Sequence, residues 1–156
     1  IIKEVLLTKP FYISDHEITN NQYLLFSKKD SLGRDIKANN LPVTNISWQE
    51  AAFFCNWLSK NEKLQPFYIT SNGKVTGFNL SSEGYRMPTE AEWSWTARKS
   101  TKSRELLKYP WGKEFKIDCE TGNYGSKCDG YIELSPVRSF NPNSLRIFDL
   151  GGNVSE

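Results

Sequence analysis

The stretch Gly84–Ser100, GYRMPTEAEWSWTARKS, contains a complete helix-start signal. Thr89 is followed by Glu90, Ala91 and Glu92. A threonine hydroxyl here accepts from a free backbone N–H, and a glutamate three residues on reaches back to the threonine's own N–H. The pattern predicts a helix over 90–98, ending before a loop rich in Lys, Ser and Thr. Two other stretches carry the same chemistry. Ser47 precedes Trp48, Gln49 and Glu50, and Thr19 precedes Asn20, Asn21 and Gln22.

These boxes predict helices over 20–28 and 48–60. The first presents Tyr23, Leu24 and Phe26. In the second, Trp48, Ala51, Ala52, Cys55 and Leu58 recur at the spacing of a buried stripe. Cys55 therefore reads as a small core residue and not as a reactive thiol. Two segments read as strands, 4–14 (EVLLTKPFYIS) and 66–80 (PFYITSNGKVTGFNL). The second holds Asn72-Gly73 between β-prone flanks, the strongest short hairpin signal. After about Tyr109 the chain is rich in Gly, Asn, Asp, Ser and Pro, yet it carries Trp111, Phe115, Tyr124, Tyr131, Phe140 and Phe148. Loops with that many large aromatics must pack, and their backbone polar groups need partners that helices and strands do not supply.

The chain has 156 residues, 38% of them hydrophobic and 13% aromatic, which suits one domain or most of one. A net charge of +2 gives no argument for nucleic acid or a membrane surface. No apolar run reaches the roughly 18 residues of a membrane span. The first residues do not resemble a signal peptide, and the sequence reads as starting inside a longer product. Three cysteines without a CxxC argue against a common zinc site. The single histidine, His16, sits in a polar stretch and reads as a surface residue, which leaves Ser-His-Asp or Cys-His catalysis without support. Trp48, Trp57, Trp93, Trp95 and Trp111 read mostly as core. Arg86 and Glu92 read as a structural pair. Asn45, Asn79 and Asn153 fit the glycosylation acceptor pattern, at a number near chance for so Asn- and Ser-rich a chain.

Taken together, six blocks resemble the formylglycine-generating-enzyme family, also known as sulfatase-modifying factors. They are EITNNQYLLF (17–26), SWQEAAFFCNWL (47–58), RMPTEAEW (86–93), YPWG (109–112), PVRSFNPN (136–143) and GNVSE (152–156). They follow the family's order across nearly the whole chain. The resemblance implies an α+β fold related to C-type lectins, with little regular secondary structure and long structured loops. It implies one domain over 1–156 whose C-terminal part lies beyond Glu156.

In the family's oxygen-dependent enzymes, two cysteines near the C-terminus hold copper, and Cys119 and Cys128 do not fall at those positions. Copper is implied only if a segment beyond Glu156 carries that pair. In the related sulfoxide synthases iron is held by histidines, and one histidine cannot supply that site. No catalytic residue is assigned within this chain. The insertion over 61–86, with its hairpin, resembles bacterial members that serve as binding modules. The expectation is a calcium-stabilised bacterial module with a protein or peptide partner and no nucleic acid, in the envelope, periplasm or medium. The alternatives are a fragment of an oxidase that converts a sulfatase cysteine to formylglycine, and a cytoplasmic location.

Two clusters match the family's calcium sites on alignment. The first offers side-chain oxygens from Asn123 and Asp129 and carbonyls from Tyr124 and Tyr131. The second offers carboxylates from Asp149 and Glu156 and carbonyls from Gly152 and Val154. Calcium takes six to eight such hard oxygens. The competing readings are an ordinary Asn/Gly/Asp turn and a Gly-rich turn before a strand. Cys119 and Cys128 bracket the first cluster. A disulfide between them would close a short loop around it in an oxidising compartment, and two free thiols would fit a cytoplasmic protein.

Overall fold

The computed structural model describes residues 5–102, 105–114, 119–124 and 128–155. The regular elements, in order, are α1 (Asn20–Tyr23), α2 (Trp48–Asn61), β1 (Tyr68–Ser71), β2 (Lys74–Phe78) and α3 (Glu90–Arg98). The chain divides into two compact units.

One unit comprises Asn20–Asn39 and Val43–Met87, and holds α1, α2 and the hairpin. Both halves of the capping box form at Ser47 and Glu50, which fixes the start of α2 at the expected residue. The hairpin also forms where Asn72-Gly73 places it, with φ of 49° and 71° at those residues. That double positive φ is the turn that matches strand twist, and Asn-Gly tolerates it best. Tyr23, Phe26, Phe54 and Trp57 form the aromatic core, with ring centroids 5.3–5.9 Å apart.

Two expectations change in this unit. The first helix covers four residues and then loosens into single turns through Ser27. The Asn20 side-chain amide and the Asn21 N–H both donate to Asn39, which anchors the start of this short helix. The buried face of α2 is also shifted. It presents Ala52, Phe54, Asn56 and Ser59, while Trp48 is 54% exposed with one edge against Tyr68.

The other unit comprises Ile1–Thr19, Asn40–Pro42 and Pro88–Glu156. Its only regular element among the described residues is α3, capped by Thr89 and Glu92 as the sequence predicts. Trp95 is exposed, with its ring edge toward Phe11. The expected strand over 4–14 is absent from its described part, residues 5–14. Pro10 cannot donate to a ladder, and Leu6 is 81% exposed. The aromatic loops do pack. Tyr109 stacks on Trp111, Trp111 meets Tyr124 edge-on at 5.8 Å, and Tyr131 meets Phe140. Phe115 lies outside the described residues. His16, expected at the surface, is only partly exposed, at 15% for its side chain, and its Nδ1 lies 2.6 Å from the Asp15 carboxylate.

Candidate functional site

Two loop segments, 122–124 and 151–153, run side by side. Asn123 and Gly152 form a parallel bridge, and the Asn153 N–H donates to the Asn123 carbonyl at 2.7 Å. Only glycine permits this approach. A Cβ on Gly122 would overlap the Gly151 carbonyl, one on Gly151 the Tyr124 hydroxyl, and one on Gly152 the Asn123 carbonyl. The segments border an open depression of about 440 Å³ lined by Asn123, Tyr124, Glu133, Gly152, Asn153 and Val154, among others. The structure therefore brings members of both sequence-derived clusters to one place.

The first cluster is divided. Asn123 is buried and donates its amide to the Glu133 carbonyl at 2.5 Å. Asp129 and Tyr131 do not line that cleft. Asp129 Oδ1 accepts from the Tyr131 N–H at 2.9 Å, an Asx turn of the ordinary kind. Gly125 lies outside the described residues.

The second cluster is more compact. Asp149, Gly152 and Val154 line an adjoining cleft of about 350 Å³ with Trp93, Leu150 and Ser155. Asp149 is 6% exposed. Its Oδ2 accepts from the Arg138 N–H at 2.7 Å, while its buried Oδ1 has no hydrogen-bond partner among the described residues. Burial pushes this carboxyl above the usual carboxylate range, against the opposing pull of the Arg138 N–H and the nearby His16 and Arg138 charges. Glu156, the other carboxylate of this cluster, lies outside the described residues. Among the described residues no three His, Cys, Asp or Glu side chains come together in a metal-holding group. Any ion here would rest on carbonyl and amide oxygens as well as carboxylates.

Asn153, noted in the sequence only for a glycosylation pattern, makes the most side-chain contacts in this loop pair. Its Oδ1 accepts from the Ser135 N–H at 2.9 Å, the Ser135 hydroxyl at 3.2 Å and the Asn123 amide at 3.4 Å. Its Nδ2 donates to Glu17 at 3.1 Å and to the Ser135 carbonyl at 3.3 Å. The nitrogen that a glycan would need is thus engaged inside the fold. Nearby, Arg138 holds Asp15 through two contacts of 2.6 and 2.8 Å. That hydrogen bond, and a second from His16, keeps the Asp15 carboxyl below its usual range.

Cys119 and Cys128 form a disulfide, with Cα atoms 5.5 Å apart. Cys55 stays free on α2, and burial pushes its thiol up to about 11. The bridge closes a loop with a sequence separation of 9. In the chain-entropy picture a loop of that size is worth about 2–3 kcal/mol. Reduction is expected to lower the urea midpoint accordingly, and the Cys119→Ser, Cys128→Ser pair should match the reduced protein. An unchanged midpoint on reduction would show that the bridge does not constrain this loop.

Comparison with known proteins places the chain. The sequence profile of the Sulfatase-modifying factor enzyme 1-like domain matches residues 2–156. Chaperone protein LppX of Paenibacillus barcinonensis is 28% identical over 94% of this chain and 60% of its own length. Inactive C-alpha-formylglycine-generating enzyme 2 of Mus musculus is 33% identical over 74% of this chain and 31% of its own length. The chain thus spans less than two thirds of either relative. The crystal structure of CarF superposes with a TM-score of 0.67 at 28% identity, covering 91% of this chain and 65% of that one. The α+β, C-type lectin-like architecture expected from the sequence is the one found. The chain belongs to the sulfatase-modifying factor enzyme 1-like domain family.

Proposed function

We propose that the chain is a non-catalytic binding module, stabilised by calcium and working outside the cytoplasm. The observation that carries this reading is the Cys119–Cys128 disulfide beside the loop clusters. The disulfide supports an oxidising compartment. The similarity to an enzyme relative named as inactive and to a chaperone protein supports a protein or peptide partner. Among the described residues, no helix is long and apolar enough to cross a membrane.

Calcium fits the second cluster on one feature of the structure. Asp149 Oδ1 is buried without a partner, and an unpaired buried carboxylate oxygen is costly unless something positive meets it. Asp149, with the Gly152 and Val154 carbonyls, would hold the ion there. The first cluster does not offer a matching site, since Asp129 is engaged in its own turn away from Asn123 and Tyr124.

Calcium should raise the melting temperature of metal-free protein, and EDTA should reverse the gain. At about 100 times the dissociation constant the stabilisation is about 2.7 kcal/mol. Asp149→Ala should weaken the response. Identical melting curves with and without calcium would overturn the cation reading. Conversion of a sulfatase-derived cysteine peptide to formylglycine by the copper-loaded chain would overturn the non-catalytic reading.

A further inference from the structure

We propose that Asn79 is an acceptor site for an N-linked glycan, the one of three Asn-x-Ser triplets that the fold leaves open to it. The proposal rests on the reading that the chain works outside the cytoplasm.

The acceptor pattern asks for two groups, a carboxamide and a hydroxyl two residues on. It occurs at Asn45-Ile46-Ser47, Asn79-Leu80-Ser81 and Asn153-Val154-Ser155. The sequence ranks the three equally, and their side-chain partners separate them. At the first triplet the hydroxyl is taken. Ser47 caps α2, donating to Glu50 Oε2 at 2.6 Å and accepting from the Glu50 N–H at 3.3 Å. The Asn45 amide donates to the Thr44 hydroxyl at 3.2 Å. An enzyme that engaged the Ser47 hydroxyl would open the start of the helix. At the third triplet the amide is taken, since Asn153 Nδ2 donates to Glu17 and to the Ser135 carbonyl.

Asn79 has neither obstacle. Its Oδ1 accepts from the Ser81 hydroxyl at 2.8 Å and from the Ser81 N–H at 3.3 Å. The two groups of the pattern therefore meet in one local turn. Its Nδ2 has no hydrogen-bond partner among the described residues. The backbone there is already settled. The Asn79 N–H donates to the Phe67 carbonyl at 2.7 Å, and the Asn79 carbonyl accepts from the Ser82 N–H at 3.1 Å. The triplet thus follows directly on β2, with Leu80 80% exposed and Ser81 exposed. A glycan on Nδ2 would break none of these hydrogen bonds. It would add a hydrophilic cover next to Phe78 and Leu80, two large apolar side chains that the fold leaves exposed.

The transfer joins Asn79 Nδ2 to the anomeric carbon of an oligosaccharide carried on a polyprenyl diphosphate. The N–C bond forms, the bond from that carbon to the diphosphate oxygen breaks, and the diphosphate leaves with the electron pair. The amide gives up one proton to a base of the transferring enzyme, and nothing is oxidised or reduced.

Secretion of the full chain, behind a host signal peptide, from cultured cells that carry such a transferase tests this. Peptide mapping, before and after an amidase that removes N-glycans and leaves aspartate, reads each position. Asn79 should carry glycan in most molecules, and Asn45 and Asn153 should be bare. Asn79→Gln and Ser81→Ala should each abolish the modification, and Ser81→Thr should keep it. Wild type alone decides the matter if a variant fails to fold. A bare Asn79, or glycan on Asn45 or Asn153, in protein with an intact Cys119–Cys128 bond overturns the assignment. Because the signal peptide fixes the route, that result leaves the location reading standing. Free Cys119 and Cys128 thiols in protein from its native source would overturn the location reading by itself.

Discussion

Alanine in place of Gly152 is expected to destabilise the protein by about 2–5 kcal/mol, from two separable causes. Gly152 has φ of +78°, where an L side chain costs about 1–2 kcal/mol. The added Cβ would also overlap the Asn123 carbonyl oxygen and lie 2.7 Å from the Asn123 carbonyl carbon. Those are backbone atoms in a bridge and cannot swing aside, so overpacking adds about 1–3 kcal/mol. Two other glycines separate the causes. Gly130 has φ of +84° with nothing within 4 Å of a built Cβ, so Gly130→Ala should show the backbone cost alone. Gly112 has open space and no positive φ, so Gly112→Ala should be close to neutral. Urea denaturation of the three variants ranks them. A Gly152→Ala midpoint equal to that of Gly130→Ala would mean that segments 122–124 and 151–153 are not in close apposition.

The same apposition explains what could be read from the sequence and what could not. Helix starts at Ser47 and Thr89 and the turn at Asn72-Gly73 were legible because each is decided within four residues. Asn123 and Gly152 are separated by nearly thirty positions with no periodic signature, and the family blocks gave them as members of two separate clusters, so their bridge was not legible. The local pattern at Asn153, a glycosylation triplet at chance frequency, gave no hint of its role, because its contacts with Glu17, Asn123 and Ser135 exist only after folding. His16 misled, because a polar neighbourhood in sequence became a paired and largely enclosed one in space.

A fold with so little sheet must satisfy its backbone by other means, and here side-chain amides and hydroxyls take the role of strands. Asn123 caps the Glu133 carbonyl, Asn143 accepts from the Leu145 and Ile147 N–H groups, and Ser59 accepts from the Tyr85 N–H. This accounts for the shifted face of α2. A hydrophobic count favours Trp48 and Leu58 as the inward stripe, but the helix turns Asn56 toward the start of β1 and Ser59 toward the loop at Tyr85, which take up their polar atoms.

Asn56 shows the demand at its strongest. Its Nδ2 donates to the Tyr68 carbonyl at 2.7 Å and its Oδ1 accepts from the Tyr68 N–H at 3.0 Å, with both residues buried. Removing the amide leaves two buried backbone groups unpaired, at about 1–3 kcal/mol each. Asn56→Ala should therefore lose about 2–6 kcal/mol, and Asn56→Leu should recover little, because volume is not what is missing. Asn56→Asp carries a sharper expectation. Ionised, the new carboxylate keeps the Tyr68 N–H but faces the Tyr68 carbonyl with a negative charge in a buried site. Protonated, it can donate to that carbonyl. Its folded pKa must lie above the unfolded value of about 3.9, so its stability contribution is present at low pH and lost as pH rises through the folded pKa. Relative to wild type, Asn56→Asp should then be less destabilised at pH 5 than at pH 7. A pH-independent deficit, or an Asn56→Ala variant within 1 kcal/mol of wild type, would show that β1 is held to α2 by packing and not by this amide.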